Sequence, residues 1–417
     1  MTISETEPQS AYSALVHSFM PQCNYLLRTT DLRAKEYQQI LSKLEQVVRN
    51  KFIPSITGTN PPGDWDRYLY ELPCRLGGLN IQNIAETTRS NYEDAEKLCQ
   101  PLRDKILKGD DDLKLTFAEQ KQILVEAKKE RTKKQDERFK QLYTTALPSK
   151  RRCMELASEK GASCWLNVLP IKEHGFALHK SAFRDSLAIR YDLPLKNIPS
   201  YCECGHNFSL SHSLSCPKGG FPAIRHNELR NYTAELLKEV CTNVCIEPHL
   251  QPLTGEQLRL HTSIKGDEAR LDVAADGLWG GRFERAFLDI RVFNPRAQSN
   301  QGSLTQVYRM HEKEKMRAYQ QRIAEIEHAT FIPVVISCTG GMGRSAQALF
   351  KRIAALITDK EDVNHYSDIL WNIRCRINFA LLRSALICIR GARSKIQTQI
   401  CSTINHQVAD ASITRTD

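Results

Sequence analysis

Residues 268–295, EARLDVAADGLWGGRFERAFLDIRVFNP, constrain the fold of this chain more than any other stretch. Leu271, Val273 and Ala275 alternate with Arg270, Asp272, Ala274 and Asp276. Beyond a glycine-rich break at 277–281, Leu288, Ile290 and Val292 alternate with Asp289, Arg291 and Phe293. Period-two alternation on both sides of such a break predicts a β-hairpin. With the aliphatic sets turned to a core, Asp272 and Asp289 fall together on the opposite face, and Asp289 and Arg291 point the same way. Two carboxylates so placed supply the hard oxygen ligands that hold Mg²⁺ in a phosphodiesterase, where the metal activates water and stabilises charge on phosphorus. The competing reading is a solvated hairpin with ordinary charges on its outer face.

A second constraint lies upstream. Cys202, Cys204, His212 and Cys216 follow the pattern C-x-C-x7-H-x3-C. Three thiolates and an imidazole this close suit a tetrahedral zinc ion. The surrounding Gly205, Ser209, Ser211, Ser213, Pro217 and Gly219-Gly220 offer little else to fold around, so a metal would supply the missing folding energy. The tight C-x-C spacing leaves His206 as an alternative ligand. Free buried cysteines are the competing reading, and redox exchange fits the pattern less well than metal.

The chain has 417 residues, enough for two or three domains. Its formal charge of +10 suits a polyanionic partner. No apolar run is long enough to span a membrane, and MTISETEPQS at the start is not a signal peptide. Fourteen widely spread cysteines in a chain without an export signal predict a reducing compartment, with most cysteines packed as small hydrophobes.

Residues 1–95 read as helical, from the spacing of Tyr12, Leu15, Val16 and Phe19 and of Leu41, Leu44, Val47 and Val48, with a turn at Gly77-Gly78 before Leu79-Asn80-Ile81. Residues 96–152, centred on KKERTKKQDERFKQ, predict a charged helical linker. It is either a solvated helix or a basic helix following a phosphate backbone, and its interleaved acids favour the first. Residues 153–200, with Trp165, Phe176, Phe183, Leu187 and Tyr191, predict a small helical module. Residues 201–222 hold the metal cluster.

From residue 223 to 360 the periodicity gives the order α-β-β-β-α-β-α. A helix carries Leu229, Thr233, Leu236 and Leu237, with Asn227 as its expected cap. A broken edge strand holds Val244, Ile246, Leu250 and Leu253. The hairpin follows, then a helix over 304–328 with Val307, Met310, Ile323 and Ile326 inward, a Val/Ile-rich strand over 331–338, and a helix over 346–357. The loop 340–343, followed by Arg344, is either a tight turn or a helix N-terminus that holds a DNA phosphate. Residues 361–395 predict a basic amphipathic helix with Arg374, Arg376, Arg383, Arg390 and Arg393 outward, and 396–417 a disordered tail. The predicted class is α/β.

Several motifs carry a family resemblance. AYSALVHSFMPQCNYLLRT, KFIPSITG and LPCRLGGLNIQN resemble the thumb-like segment that follows the reverse-transcriptase palm in non-LTR (LINE-type) retrotransposons, with Pro73 to Ile81 as its glycine signature. No Tyr/Phe-x-Asp-Asp motif occurs, so no polymerase activity is expected. In elements that carry a restriction-enzyme-like endonuclease, a CCHC knuckle stands directly before it, as Cys202, Cys204, His212 and Cys216 do here with somewhat shorter spacing. Residues 225–360 resemble that endonuclease and its PD-(D/E)XK fold. Arg270-Leu271-Asp272 stands where the "PD" belongs, with Leu for Pro, and Asp289-Ile290-Arg291 where (D/E)-x-K belongs, with Arg for Lys.

Arg stays protonated and cannot act as a base, though it can clamp a phosphate. Lys315 and Tyr319, i and i+4 on the following helix, match a Lys and a Tyr of the group; Lys313 lies nearby. The resemblance implies Asp272 and Asp289, with Glu228 as an added ligand, as a Mg²⁺ or Mn²⁺ site. Arg291, Lys315 and Tyr319 would serve the chemistry, a solvated helix face being the equal alternative for the last two; Arg344 would contact DNA, and Arg225 and His226 would either contact DNA phosphate or form a structural pair. It implies a structural zinc, a DNA target, element RNA as a further partner, a nuclear location and target-site nicking whose 3′-hydroxyl primes reverse transcription. The alternative is a catalytically inactive nuclease fold acting as a zinc-dependent nucleic-acid-binding protein, which Arg291 favours.

Overall fold

Helices form through the first half of the chain, where apolar residues recur at helical spacing. The computed structural model describes residues 3–32, 34–109, 113–251, 269–280, 284–361 and 365–393. They fall into two units, Met1–Ser158 with Leu166–Pro194, and Glu159–Trp165 with Leu195–Asp417. In the first, Tyr12, Leu27, Ile53 and Ile56 are buried among the N-terminal helices. The turn at Gly77-Gly78 requires both glycines: Gly77 has φ +85°, and a Cβ on Gly78 would lie 1.8 Å from the Leu72 carbonyl oxygen. Leu79 and Ile81 then each donate an N–H to the Tyr70 carbonyl at 3.1 Å, and the Tyr12 hydroxyl donates to Leu79 O at 2.9 Å.

Helix α1 (Ile84–Lys108) and helix α2 (Leu113–Thr145) follow as a long hairpin. Ion pairs Asp94–Arg131 (3.5 Å) and Glu86–Arg138 (3.6 Å) set them antiparallel. Asn83 caps α1 and left-handed Gly109 ends it, so the helix runs through the boundary expected at residue 96. Residues 153–200 do not stay together as one module. In the helix Lys180–Tyr191, Phe183 packs on Tyr12 at 5.9 Å and Arg190 donates to the Cys74 and Gly78 carbonyls, while 159–165 belong to the second unit.

The second unit opens with a short helix, α3 (Leu210–Ser215), then α4 (Phe221–Val240). Helix α4 starts after Gly220, with Pro222 in its first turn, and so earlier than the Asn227 cap expected from sequence. Strands β1 (Thr242–Ile246), β2 (Val273–Asp276) and β3 (Arg285–Phe293) pair antiparallel in that order. Helix α5 (Leu304–Glu325), capped by a Ser303–Gln306 box, carries the chain back so that β4 (Thr330–Ser337) pairs parallel with β3. Helices α6 (Arg344–Glu361) and α7 (Tyr366–Arg390) complete the unit. The element order read from periodicity is therefore present, and the class is α/β.

Both faces of the hairpin are buried, which removes the solvated-hairpin reading. Val273, Ala275, Leu288, Ile290, Val334 and Ile336 pack with α4, α6 and α7. On the other face Ala274, Phe287, Phe331, Phe293 and Val335 meet α5 through Ile323, Val307 and Tyr308. Met310, expected inward, is exposed, and Arg393, expected outward, is buried. Leu253, Gly281 and the tail at 396–417 lie outside the described residues. Among the described residues no helix is long and apolar enough to cross a membrane.

Candidate functional site

The cysteine–histidine segment is a tight loop followed by one short helix. Tyr201 pairs with Asn207, the Cys202 N–H donates to His206 O at 2.8 Å, and the Gly205 N–H returns to Cys202 O at 2.8 Å. Ser209 caps α3, which presents His212, with Cys216 one turn on. The ligand atoms of Cys202, Cys204, His212 and Cys216 lie within 4.8 Å of one another. Cys202 and Cys216 sulfurs are 3.8 Å apart, Cys204 and Cys216 sulfurs 3.7 Å, and Cys204 Sγ is 3.3 Å from His212 Nε2. A tetrahedral zinc with Zn–S of about 2.3 Å and Zn–N of about 2.0 Å needs S···S near ~3.8 Å and S···N near ~3.5 Å. The cluster could therefore hold a metal ion such as zinc. His206 stands outside the four, stacked on His212 at 5.7 Å. Its backbone N–H and then its side chain hold the Cys204 thiol down to about 6. Among the described residues no other three His, Cys, Asp or Glu side chains converge this way.

This loop is tied firmly to the rest of its unit. Arg225, read from sequence as a DNA contact or a structural residue, is buried, and its guanidinium donates to Leu214 O at 3.2 Å; a phosphate cannot reach it, and its role is structural. Arg393 donates to Ser213 O at 3.3 Å and lies about midway over the rings of Phe208 (5.0 Å) and Phe221 (5.1 Å). Both arginines serve the loop's seating.

The two aspartates meet. Asp272 stands just before β2, where the ladder with β3 gives way. Its Oδ2 accepts the Ile290 N–H at 2.5 Å, and its Oδ1 pairs with His226 Nε2 at 2.9 Å. The Asp272 and Asp289 carboxyls lie close enough that each shifts the ionisation of the other. Lys315 Nζ, from α5, lies 2.7 Å from Asp289 Oδ2. Burial and the adjoining Asp272 charge push Asp289 up to about 6 against the pull of Lys315. Burial also opposes charge on Asp272, but His226 and the Ile290 N–H hold it below the usual carboxylate range.

Helix α5 faces β3 residue against residue. Ile323 meets Phe287, Lys315 meets Asp289, Glu314 takes Arg291 at 2.6 Å, and Tyr308 meets the Phe293 ring at 5.1 Å. Tyr319 packs on Phe331 at 5.7 Å, with Lys315 Nζ 5.9 Å from its ring. Lys313 is exposed.

Two expected members are absent from this site. Glu228 accepts a hydrogen bond from Ser384 on α7, and burial raises its pKa. Two residues after His226, it points to another side of α4. At the start of α6, Glu312 accepts the Ser345 N–H at 3.0 Å, so a side-chain carboxylate already satisfies the N-terminus expected to hold a phosphate. Arg344 itself is exposed there.

From sequence His226 was open between a DNA contact and a structural pair, and nothing singled out Glu314 or His311. The signal for His226 was present: it shares a helical stripe with Leu229, Thr233 and Leu237, all buried. No protein-family model and no curated protein matches the chain, so what the site does is argued from its geometry.

Proposed function

We propose that the second unit is a divalent-metal-dependent DNA endonuclease of the PD-(D/E)XK type, seated against a zinc-holding loop. The observation that carries this reading is the meeting of Asp272, Asp289 and Lys315 on one buried sheet face. Two carboxyls pressed together, one held partly protonated near neutral pH, create the charge repulsion that a divalent cation relieves. Bound there, Mg²⁺ or Mn²⁺ supplies Lewis acidity and an activated water. Asp272 and Asp289 provide the anionic oxygens. His226 fixes the orientation of Asp272, as outer partners of metal ligands do. Lys315 occupies the role of the lysine that Arg291 displaces: its ammonium orients Asp289 and faces the phosphate. Water adds to phosphorus, the P–O3′ bond breaks, and the strand ends in a 3′-hydroxyl and a 5′-phosphate.

The wider reading goes with this one. The chain would derive from a non-LTR retrotransposon, nick target DNA for target-primed reverse transcription with element RNA as a second partner, work in the nucleus, and lack polymerase chemistry. Incubation of supercoiled plasmid with Mg²⁺ or Mn²⁺ tests the activity. The expected result is nicking by wild type and a loss of at least ~100-fold in Asp289→Asn, since several kcal/mol of charge stabilisation is removed. Nicking that survives in the Asp272→Asn, Asp289→Asn double variant would sink the site assignment. A second reading, a catalytically inactive fold that binds nucleic acid, is favoured by Arg291, whose guanidinium is engaged by Glu314. DNA binding without nicking under both metals would establish it.

A further inference from the structure

A buried polar chain runs from α3, the helix that carries His212, to His311 on α5, one turn before Lys315. Asn294 follows β3 directly, and its side-chain amide donates to Ser211 O at 2.9 Å and Ser215 Oγ at 2.8 Å, both on α3, the helix that carries His212. The Asn294 carbonyl accepts from Asn300 Nδ2 at 2.8 Å, and Asn300 Oδ1 pairs with His311 Nε2 at 2.9 Å. His311 stands on α5 one turn before Lys315, with its imidazole 4.7 Å from the Phe293 ring. The network fixes the tautomer: Asn300 spends its amide N–H on Asn294, so its oxygen accepts and His311 Nε2 carries the proton.

The exposures of Asn294, Asn300 and His311 are 5, 6 and 4%. Buried polar groups of this kind cost stability unless each keeps its partner, about 1–3 kcal/mol for each one orphaned. Loss of one link therefore strands the buried group next to it. Each link belongs to a different element: α3, the end of β3, the 3₁₀ turn at Gln298–Asn300, and α5. His311, at the far end of the polar chain, stands one helical turn from Lys315, and Asn294 follows the strand that carries Asp289.

We propose that Asn294, Asn300 and His311 are positioning residues through which the cysteine–histidine cluster, once metal-loaded, sets the placement of Asp289 against Lys315. Only the functional consequence rests on the nuclease reading; the structural coupling stands apart from it. In the metal-loaded full chain α3 is fixed, and Asn294 holds the end of β3 to it. Loss of the cluster's metal frees α3, withdraws the two acceptors of the Asn294 amide, and loosens the junction of β3 and α5.

Backbone hydrogen exchange on the full chain tests this, with Zn²⁺ bound and after chelation. The expected result is lost protection at 201–216 and also at 289–294 and 304–315, with the first unit as an internal reference. Changes confined to 201–220 would overturn the proposal. Variants at His311 separate positioning from mere packing. In His311→Leu, which cannot donate to Asn300, the response of 304–315 to zinc should vanish while that of 289–294, held to α3 by Asn294 itself, persists, and His311→Gln, which can donate, should restore the first. A His311→Leu variant that responds like wild type overturns the relay.

Mn²⁺ binding followed by electron paramagnetic resonance gives the functional arm. Zinc removal should weaken it about fivefold or more in wild type, the lower end of ordinary coupling between sites, and less in His311→Leu, where only the Asn294 link remains. Should Mn²⁺ fail to bind the zinc-loaded wild type, the nuclease reading falls, and the exchange result still decides the coupling.

Discussion

At the scale of single residues, the two aspartates show how environment divides identical side chains. Asp289 is raised to about 6 and Asp272 is lowered, because Asp272 alone receives His226 and a backbone N–H. A raised acid contributes stability below its unfolded value of about 3.9 and loses it as pH climbs through its folded value. Asp272 does the opposite: its contribution is present above about 3.9 and is lost as pH falls through its lower folded value. In zinc-loaded protein without Mg²⁺ or Mn²⁺, Asp289→Asn should gain on wild type as pH rises from about 4 to about 6, and keep that gain above it. The gain is at most about 3 kcal/mol, since each tenfold change in proton affinity is worth about 1.4 kcal/mol. Urea unfolding at a series of pH values reads it, and parallel pH profiles for the two proteins would show that Asp289 ionises normally.

Much of this pair was legible in sequence. Alternation placed Asp272 and Asp289 on neighbouring strands, and the i, i+4 spacing put Lys315 beside Tyr319. What the pattern could not give was depth. The same alternation fits a solvated outer face, and only α5 lying across that face makes it an interior. Arg291 was legible as a departure, but its capture by Glu314 was not, because that contact joins two elements whose packing no local spacing specifies.

At the scale of elements, α5 explains why hydrophobic periodicity misreads a helix at a polar site. Its inward stripe is Tyr308, His311, Lys315, Tyr319 and Ile323, and two of these, His311 and Lys315, carry groups that a hydrophobic count scores as outward. Reading apolar residues alone therefore turned Met310 inward, where it is exposed.

Helix α2 gives the converse case. In sequence its acids interleave with its lysines, but on the helix they separate. At roughly 100° per residue, Lys121, Lys128, Lys129, Lys133 and Lys140 share an arc of about 140°, and Glu126, Glu130 and Glu137 gather in the next ~40°. All five lysines are exposed. The acid within their arc, Asp136, is paired with Arg75 at 3.2 Å. The row spans about 28 Å at ~1.5 Å per residue. If the chain's polyanionic partner is duplex DNA, replacing Lys128, Lys133 and Lys140 with Gln should lower the slope of log affinity against log salt by up to ~0.9 per lysine. Fluorescence anisotropy at several salt concentrations measures it, with Asp272→Asn as a control that keeps the row. A slope unchanged in the triple variant would return α2 to the role of a solvated helix.

At the scale of the whole molecule, the chain builds two cores by different means. The first unit is held by helix packing around Tyr12 and the glycine turn, with no metal cluster among its described residues. The second seats its cysteine–histidine loop on buried Arg225, Arg393 and Asn294, each donating to a carbonyl of α3. Binding of structural zinc is itself folding free energy for such a loop. If the cluster holds zinc, its loss removes the ligand bonds that join α3 to the Cys202–Cys204 turn, and two buried guanidiniums stand to lose acceptors, a cost well above that of an exposed contact. Chelation, or Cys216→Ser, should therefore expose the second unit to protease while the first stays intact. Limited proteolysis with mass mapping of the fragments checks this, together with the zinc content of the purified protein. A second unit equally resistant with and without zinc would mean that its own core, and not the cluster, holds the loop in place.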